Sequence, residues 1–98
     1  MAEWRQPRKE LDIEVNTKGE VRKKSTKLAK TPTYDQFGYQ YLMLKAADGS
    51  QHSYRIHRLV AEAFLPDFRD DLIVDHLNGI RDDNRVENLM VKTQTENI

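Results

Sequence analysis

The chain of 98 residues contains no cysteine, so no disulfide can staple it and no thiolate knuckle can hold zinc. Any metal must sit among oxygen and imidazole ligands, a donor set that points toward magnesium-like ions. No apolar stretch approaches the length that spans a bilayer, and the opening residues Met1-Ala2-Glu3-Trp4-Arg5 lack the apolar region of a secretory signal. A soluble, intracellular protein with no membrane partner is expected. Internal repeats are missing too, beyond two unrelated hairpin patterns. With 38% hydrophobic residues the chain can bury one small core, which leaves little area for a second.

Net charge is absent as a sum but not as a pattern. Residues 1–60 carry 12 Lys and Arg against 7 acids, a net +5, whereas residues 61–98 carry 4 against 9, a net −5. Within the first part, Lys18, Arg22, Lys23, Lys24, Lys27 and Lys30 form a basic run interrupted by Glu20 alone. Such a run suits a phosphate backbone. Lysine-rich loops are also ordinary solvated surface, which is the commoner explanation for the run taken alone.

The first ten residues show no periodicity and read as a loosely held arm, with Trp4 as a possible anchor. Residues 12–16 and 20–23 flank Asn16-Thr17-Lys18-Gly19, where glycine can take the positive φ of a tight turn, so a hairpin is expected. Residues 25–36 read as a polar connection containing Pro32. A second hairpin follows, with strands at 39–45 and 51–55 around Ala47-Asp48-Gly49-Ser50. From Ile56 the period changes: Ile56, Leu59, Val60, Ala63 and Phe64 make the apolar stripe of a core-facing helix, which Pro66 ends. Residues 72–76 read as a buried strand closing on Asp75-His76. Residues 77–85 form a polar loop rich in Asn and Asp. Residues 86–92 can then pair back onto the strand. Thr93 with Glu96 three positions on has the arrangement of a capping box, the start of a helix.

Strand, loop, strand and helix start bring Asp75 and His76, Asn88 and Asn97 toward one point. Their spacing is D-H-x(11)-N-x(8)-N. This pattern resembles the HNH, or ββα-metal, nuclease family, and most closely the branch of phage and intron-encoded homing nucleases whose last histidine is an asparagine. The text Tyr54-Arg55-Ile56-His57-Arg58-Leu59-Val60-Ala61-Glu62-Ala63-Phe64 and Asn84-Arg85-Val86-Glu87-Asn88-Leu89 resembles that branch as well. The resemblance implies an α+β fold: a small ββα-metal (His-Me finger) domain with preceding β-hairpins and an amphipathic helix. It divides the chain into a basic N-terminal arm and hairpin, residues 1–36, and a nuclease-like region, residues 37–98.

By the same resemblance, His76 is the general base, Asn88 fixes the loop that orients it, and Asp75 and Asn97 ligate one Mg²⁺ or Mn²⁺ ion. Double-stranded DNA is the implied partner, cut or nicked to a 5′ phosphate and a 3′ hydroxyl. If the chain is phage-encoded, the bacterial cytoplasm is its expected location. Asp75 and His76 are adjacent, so a regular strand points them to opposite faces and a bend is expected where both address one phosphate. Arg55 and Arg58 are candidates for phosphate contact. Tyr39, Tyr41 and Tyr54 read as core, His52 as surface, and His57 as a structural residue at the edge of the helical stripe. The chain stops one residue after Asn97, where the family continues its helix and often adds a DNA-reading segment, so weak cutting or low specificity is expected. A module that binds nucleic acid or a protein without cleavage is the alternative. A homodimer is left open.

Overall fold

The computed structural model describes residues 3–95. Its described strands lie in three antiparallel sheets in which every strand pairs with its sequence neighbour. The first sheet holds β1 (Trp4–Arg5), β2 (Ile13–Asn16), β3 (Val21–Lys23) and β4 (Ala29–Lys30). The second holds β5 (Thr33–Tyr34), β6 (Gln40–Lys45) and β7 (Gln51–Arg55). Helix α1 (Ile56–Phe64) follows directly, and β8 (Ile73–His76) pairs with β9 (Leu89–Lys92) after a 3₁₀ turn at Val86–Asn88.

Both expected hairpins form where the turn residues place them. In the first, Val15 faces Val21 across the pair, and the Gly19 amide closes the turn on the Asn16 carbonyl at 3.1 Å. In the second, Tyr41 faces Arg55 and Lys45 faces Gln51. The helix occupies the expected residues, and its stop before Pro66 agrees with the extended dihedrals of Leu65. Ile56, Leu59 and Val60 turn inward with Ala61, while Ala63 and Phe64 are partly buried against them.

One apolar cluster joins the two halves of the chain. Leu11, Ile13, Val15 and Val21 pack with Leu42, Leu44, the helical stripe, Val74 and Leu89. Fully burying side chains of this size contributes ~1.5–3 kcal/mol each, which makes α1 the common backing of the surrounding strands.

The N-terminal segment differs from the loose arm expected of it. Trp4 and Arg5 pair with Asn16 and Val15, and the Arg22 guanidinium lies 4.0 Å from the centre of the Trp4 ring. Arg8 Nε reaches the Glu62 carboxylate on α1 at 2.7 Å, anchoring the segment to the helix. The polar connection at 25–36 likewise contains β4 and β5, whose two-residue length carries no periodic signal.

Candidate active site

Burial alternates along β8: Val74 and His76 are buried, Ile73 and Asp75 half-exposed. Pairing runs unbroken through its end, with Asp75 opposite Met90 and His76 opposite Leu89. The expected bend is therefore absent from the strand. The pleat turns the imidazole toward the core side and the carboxylate outward.

The loop at 77–85 closes on Asn88. The Asn88 carbonyl accepts from the Leu77 amide at 2.8 Å, and its side-chain oxygen accepts from the Asn78 amide at 3.1 Å. The Asn88 Nδ2 donates to Asn78 Oδ1 and to the Asp83 carbonyl, each at 2.9 Å. One buried amide thus ties together both ends of the loop. Asp83 reinforces it by accepting from Asn78 Nδ2 at 2.8 Å and from both Nε and Nη2 of Arg85 at 2.7 Å. That guanidinium fork, helped by Asn78, holds the Asp83 carboxyl well below its ordinary pKa, against the smaller opposing effect of desolvation.

His76 is enclosed by Asn84, His57 and Tyr39, whose ring centre lies 6.0 Å from its own. Its Nε2 lies 2.8 Å from Asn84 Oδ1, and no hydrogen-bond partner meets its Nδ1 among the described residues. Its ring packs against His57 with centroids 4.9 Å apart, and His57 stacks on Tyr39 at 5.2 Å. The Arg55 guanidinium lies 4.2 Å from the Tyr39 ring centre and the Arg81 guanidinium 5.1 Å from it. His57 is 5% exposed. Burial is the main reason its pKa falls from 6.5 to about 3; coulombic coupling to the His76 ring and the positive charges of Arg55 and Arg58 add to the shift, against the pull of Asp35. A neutral imidazole thus lies against the histidine assigned as base. His57, expected as a structural residue at the edge of the helical stripe, thus packs between Tyr39 and His76, because the residue preceding β6 lies over the first turn of α1.

Asp75 extends to the other side of the hairpin, where Lys92 Nζ meets its Oδ2 at 2.8 Å. The bond from Lys92 is the first cause of a lowered Asp75 pKa, desolvation opposing it, so the carboxylate is ionised at neutral pH. Its side chain is 47% exposed. Among the described residues no group of three or more His, Cys, Asp or Glu could cage a metal ion. A half-exposed carboxylate fits a hard cation that keeps most of its water, as magnesium does, rather than a fully liganded structural ion. The Lys92 ammonium rests on that carboxylate, so a cation bound there would compete with it. Asn97, the second expected ligand, and Glu96 of the capping box lie outside the described residues.

The basic residues are spread over several surfaces. Lys18 and Lys30 line the same cleft as Gln40, Asp82 and Asn84. Arg22 and Lys27 both reach Glu14 at 2.9 Å, and Lys24 donates to Gln6 at 2.8 Å. Lys23 lies near Asp12 and Lys45 in a separate cleft. Arg55 pairs with Asp35 at 3.0 Å, and Arg58 donates to the carbonyls of Leu72 and Asp70 at 2.8 and 3.0 Å. Arg58 thus fastens α1 to the start of β8. His52 is exposed beside Ser50, and Tyr54 packs partly buried against the core. Asn84 opens a segment that resembles the nuclease branch, but its own role carries no separate signal, because four of the loop's residues are Asn or Asp of similar turn propensity.

A paired strand, Asn-clamped loop and returning strand, with histidine and aspartate at the first strand's end, have the arrangement of the ββ part of a nuclease finger. Residues 54–98 match the family model described as HNH endonuclease. An HNH endonuclease of Acanthamoeba polyphaga mimivirus is 41% identical over 63 residues, 62% of this chain and 16% of that protein. YosQ, an SPbeta prophage-derived protein of Bacillus subtilis (strain 168) named for an HNH homing endonuclease, is 37% identical over 76 residues, 76% of this chain and 41% of its own. A solved structure of DNA binding and cleavage by the HNH homing endonuclease I-HmuI superposes with a TM-score of 0.84 at 29% identity, over 97% of this chain and 55% of that one. Residues 54–98 therefore form a segment of the HNH endonuclease family, and the α+β fold around it is that of an HNH homing endonuclease. The chain spans about half the length of I-HmuI or less of each of these relatives.

Proposed function

We propose that this chain hydrolyses DNA phosphodiester bonds as a divalent-metal-dependent endonuclease or nicking enzyme, with His76 as general base. The observation that carries this reading is the placement of His76: one ring nitrogen is held by Asn84 while the other has no hydrogen-bond partner among the described residues. Nδ1 takes a proton from a water molecule. The water oxygen attacks phosphorus, the bond from phosphorus to the 3′ oxygen breaks, and that oxygen takes a proton from solvent, which leaves a 5′ phosphate and a 3′ hydroxyl. Asn88 keeps the loop closed around the imidazole during this step, and the His57 ring limits its tilt. Asp75, with Asn97, would hold a single Mg²⁺ or Mn²⁺ ion. When bound, that ion neutralises charge on the phosphate and on the leaving oxygen.

Double-stranded DNA is the proposed substrate, approached through a basic region up to residue 36 that precedes the nuclease-like part of the chain. Lys18 and Lys30, which share a cleft with Asn84, supply the phosphate contacts nearest the site. Arg22, Lys23, Lys24, Lys27 and Arg55 add to the positive field, whereas Arg58 acts through α1.

Supercoiled plasmid incubated with Mg²⁺ or Mn²⁺ tests the reading. Nicked circles are expected from the native chain, with His76→Ala slower by about 10²–10⁴, the usual contribution of a positioned acid or base. Equal nicking by the two would sink the assignment. A second reading, nucleic-acid binding without cleavage, draws support from the Lys92 ammonium on the Asp75 carboxylate. Cleavage that is lost in Asp75→Ala would exclude it.

A further inference from the structure

The hydrogen bond that holds His76 continues through three more residues, and its direction is set at the far end. The Asp82 carboxylate can only accept, so the Tyr34 hydroxyl donates its one proton to Oδ2 at 3.0 Å. Asp82 also raises the Tyr34 pKa, which keeps that proton in place. The hydroxyl oxygen then accepts from Gln40 Nε2, the longest link at 3.4 Å. This turns Gln40 Oε1 toward Asn84, whose Nδ2 donates to it at 3.0 Å. Asn84 is left with Oδ1 facing His76 Nε2 at 2.8 Å. An amide oxygen cannot donate, so Nε2 must carry the ring proton and Nδ1 must carry the lone pair.

We infer that Asn84, ordered by the Gln40, Tyr34 and Asp82 chain, is a positioning residue that fixes His76 as its Nε2–H tautomer. This rests on the reading of His76 as general base. A purely structural role for the Asn84 side chain is the competing account, and three contacts argue against it. Asn88 already clamps the loop through its own side chain. The Val86 amide fastens the next residues to the Thr17 carbonyl at 2.9 Å. The side chain of Asn84, 3% exposed, directs both polar ends away from the loop backbone, to His76 and Gln40. The tilted packing against His57 restrains the His76 ring, but it does not distinguish one nitrogen from the other.

Long-range ¹H–¹⁵N spectra of the full chain, recorded with the ring neutral and assigned by His76→Gln, read the tautomer directly. The native chain is expected to show a protonated Nε2 and an unprotonated Nδ1. Asn84→Ala should admit the Nδ1–H form and lower kcat for plasmid nicking by about 10- to 100-fold with KM little changed, the range typical for groups that orient metal-site histidines. Asn84→Asp, which can only accept, should restore the Nε2–H form and most of the rate. Tyr34→Phe removes one hydroxyl from an exposed ring, so the fold survives; it should free the Gln40 amide to turn and introduce a measurable Nδ1–H population. A protonated Nδ1 in the native chain, or a tautomer unmoved by Asn84→Ala, would overturn the inference. A chain that shows the Nε2–H form and its loss in Asn84→Ala yet nicks no DNA would support this inference while removing the proposed function.

Discussion

Gly19→Ala tests whether the N-terminal hairpin positions the catalytic loop. Gly19 has φ +86°, and a Cβ built there would lie 2.7 Å from the Asn84 carbonyl oxygen, 2.8 Å from its carbonyl carbon and 2.9 Å from its Cβ. Two of those atoms are backbone and cannot rotate away. The left-handed conformation alone costs an alanine about 1–2 kcal/mol. Forcing the backbone apart adds about 1–3 kcal/mol, the usual range for overpacking. Gly49 supplies the control, since its φ is +89° and nothing lies within 4 Å of its added Cβ. Gly49→Ala therefore carries only the conformational cost, and the difference between the two variants isolates the contact. Urea unfolding measures both, with the slope expected to stay constant. In a domain of this size each kcal/mol lowers Tm by roughly 4–8 °C. Gly19→Ala should also nick DNA more slowly than Gly49→Ala at equal fraction folded, because the clash displaces Asn84 and with it the partner of His76. Equal unfolding midpoints for the two variants would refute the reasoning.

Acid should destabilise the chain through His57. Its folded pKa of about 3 lies below the ordinary 6.5, so the unfolded chain binds a proton in that window that the folded chain refuses. Stability is complete above pH 6.5 and falls as pH drops toward 3, by about 2 kcal/mol between pH 7 and 5. Chemical denaturation across that range should show the loss in the native chain and a flatter profile in His57→Phe; an identical slope in both would refute it. Asn88→Ala removes three side-chain hydrogen bonds of the loop and is expected to cost about 2–3 kcal/mol, with faster amide exchange at Asn78. A change below about 0.5 kcal/mol would show that other contacts close the loop. Lys92→Met retains the largely buried stem but removes the ammonium from Asp75. Manganese affinity by calorimetry should rise about fivefold, equivalent to ~1 kcal/mol for a half-exposed ion pair, and weaker binding would contradict the competition.

Helix α1 was legible because its apolar period is a local property, and so were the two hairpins, whose turn residues declare themselves. The spacing of Asp75, His76 and Asn88 marked the loop, and the Asn88 side chain bonds Asn78 and the Asp83 carbonyl across it. The first sheet's outer strands were not legible. Trp4–Arg5 and Ala29–Lys30 are too short to carry a pattern, and they are strands because β2 and β3 offer them open edges. The bend expected at His76 fails for a related reason. A strand needs no distortion when neighbouring segments build a separate environment on each of its faces.

Asn84 and His57 show where the sequence stops. Both lie in segments that resemble the nuclease branch, yet nothing in their local context assigns Asn84 a role apart from the other polar residues of its loop, or His57 one beyond that of a helix-edge histidine. Their roles arise from partners distant in the chain: Asn84 meets Gln40 across 44 positions, and His57 meets His76 through the packing of α1 against β8. The sequence by itself determined the strand, loop and strand elements and the helix, because these follow from short-range periodicity, and it singled out Asp75 and His76 as candidates through their resemblance to a nuclease pattern. Only the tertiary structure decided which nitrogen of His76 is held and which neutral ring lies against it, because hydrogen-bond direction and ring stacking depend on where separate elements converge.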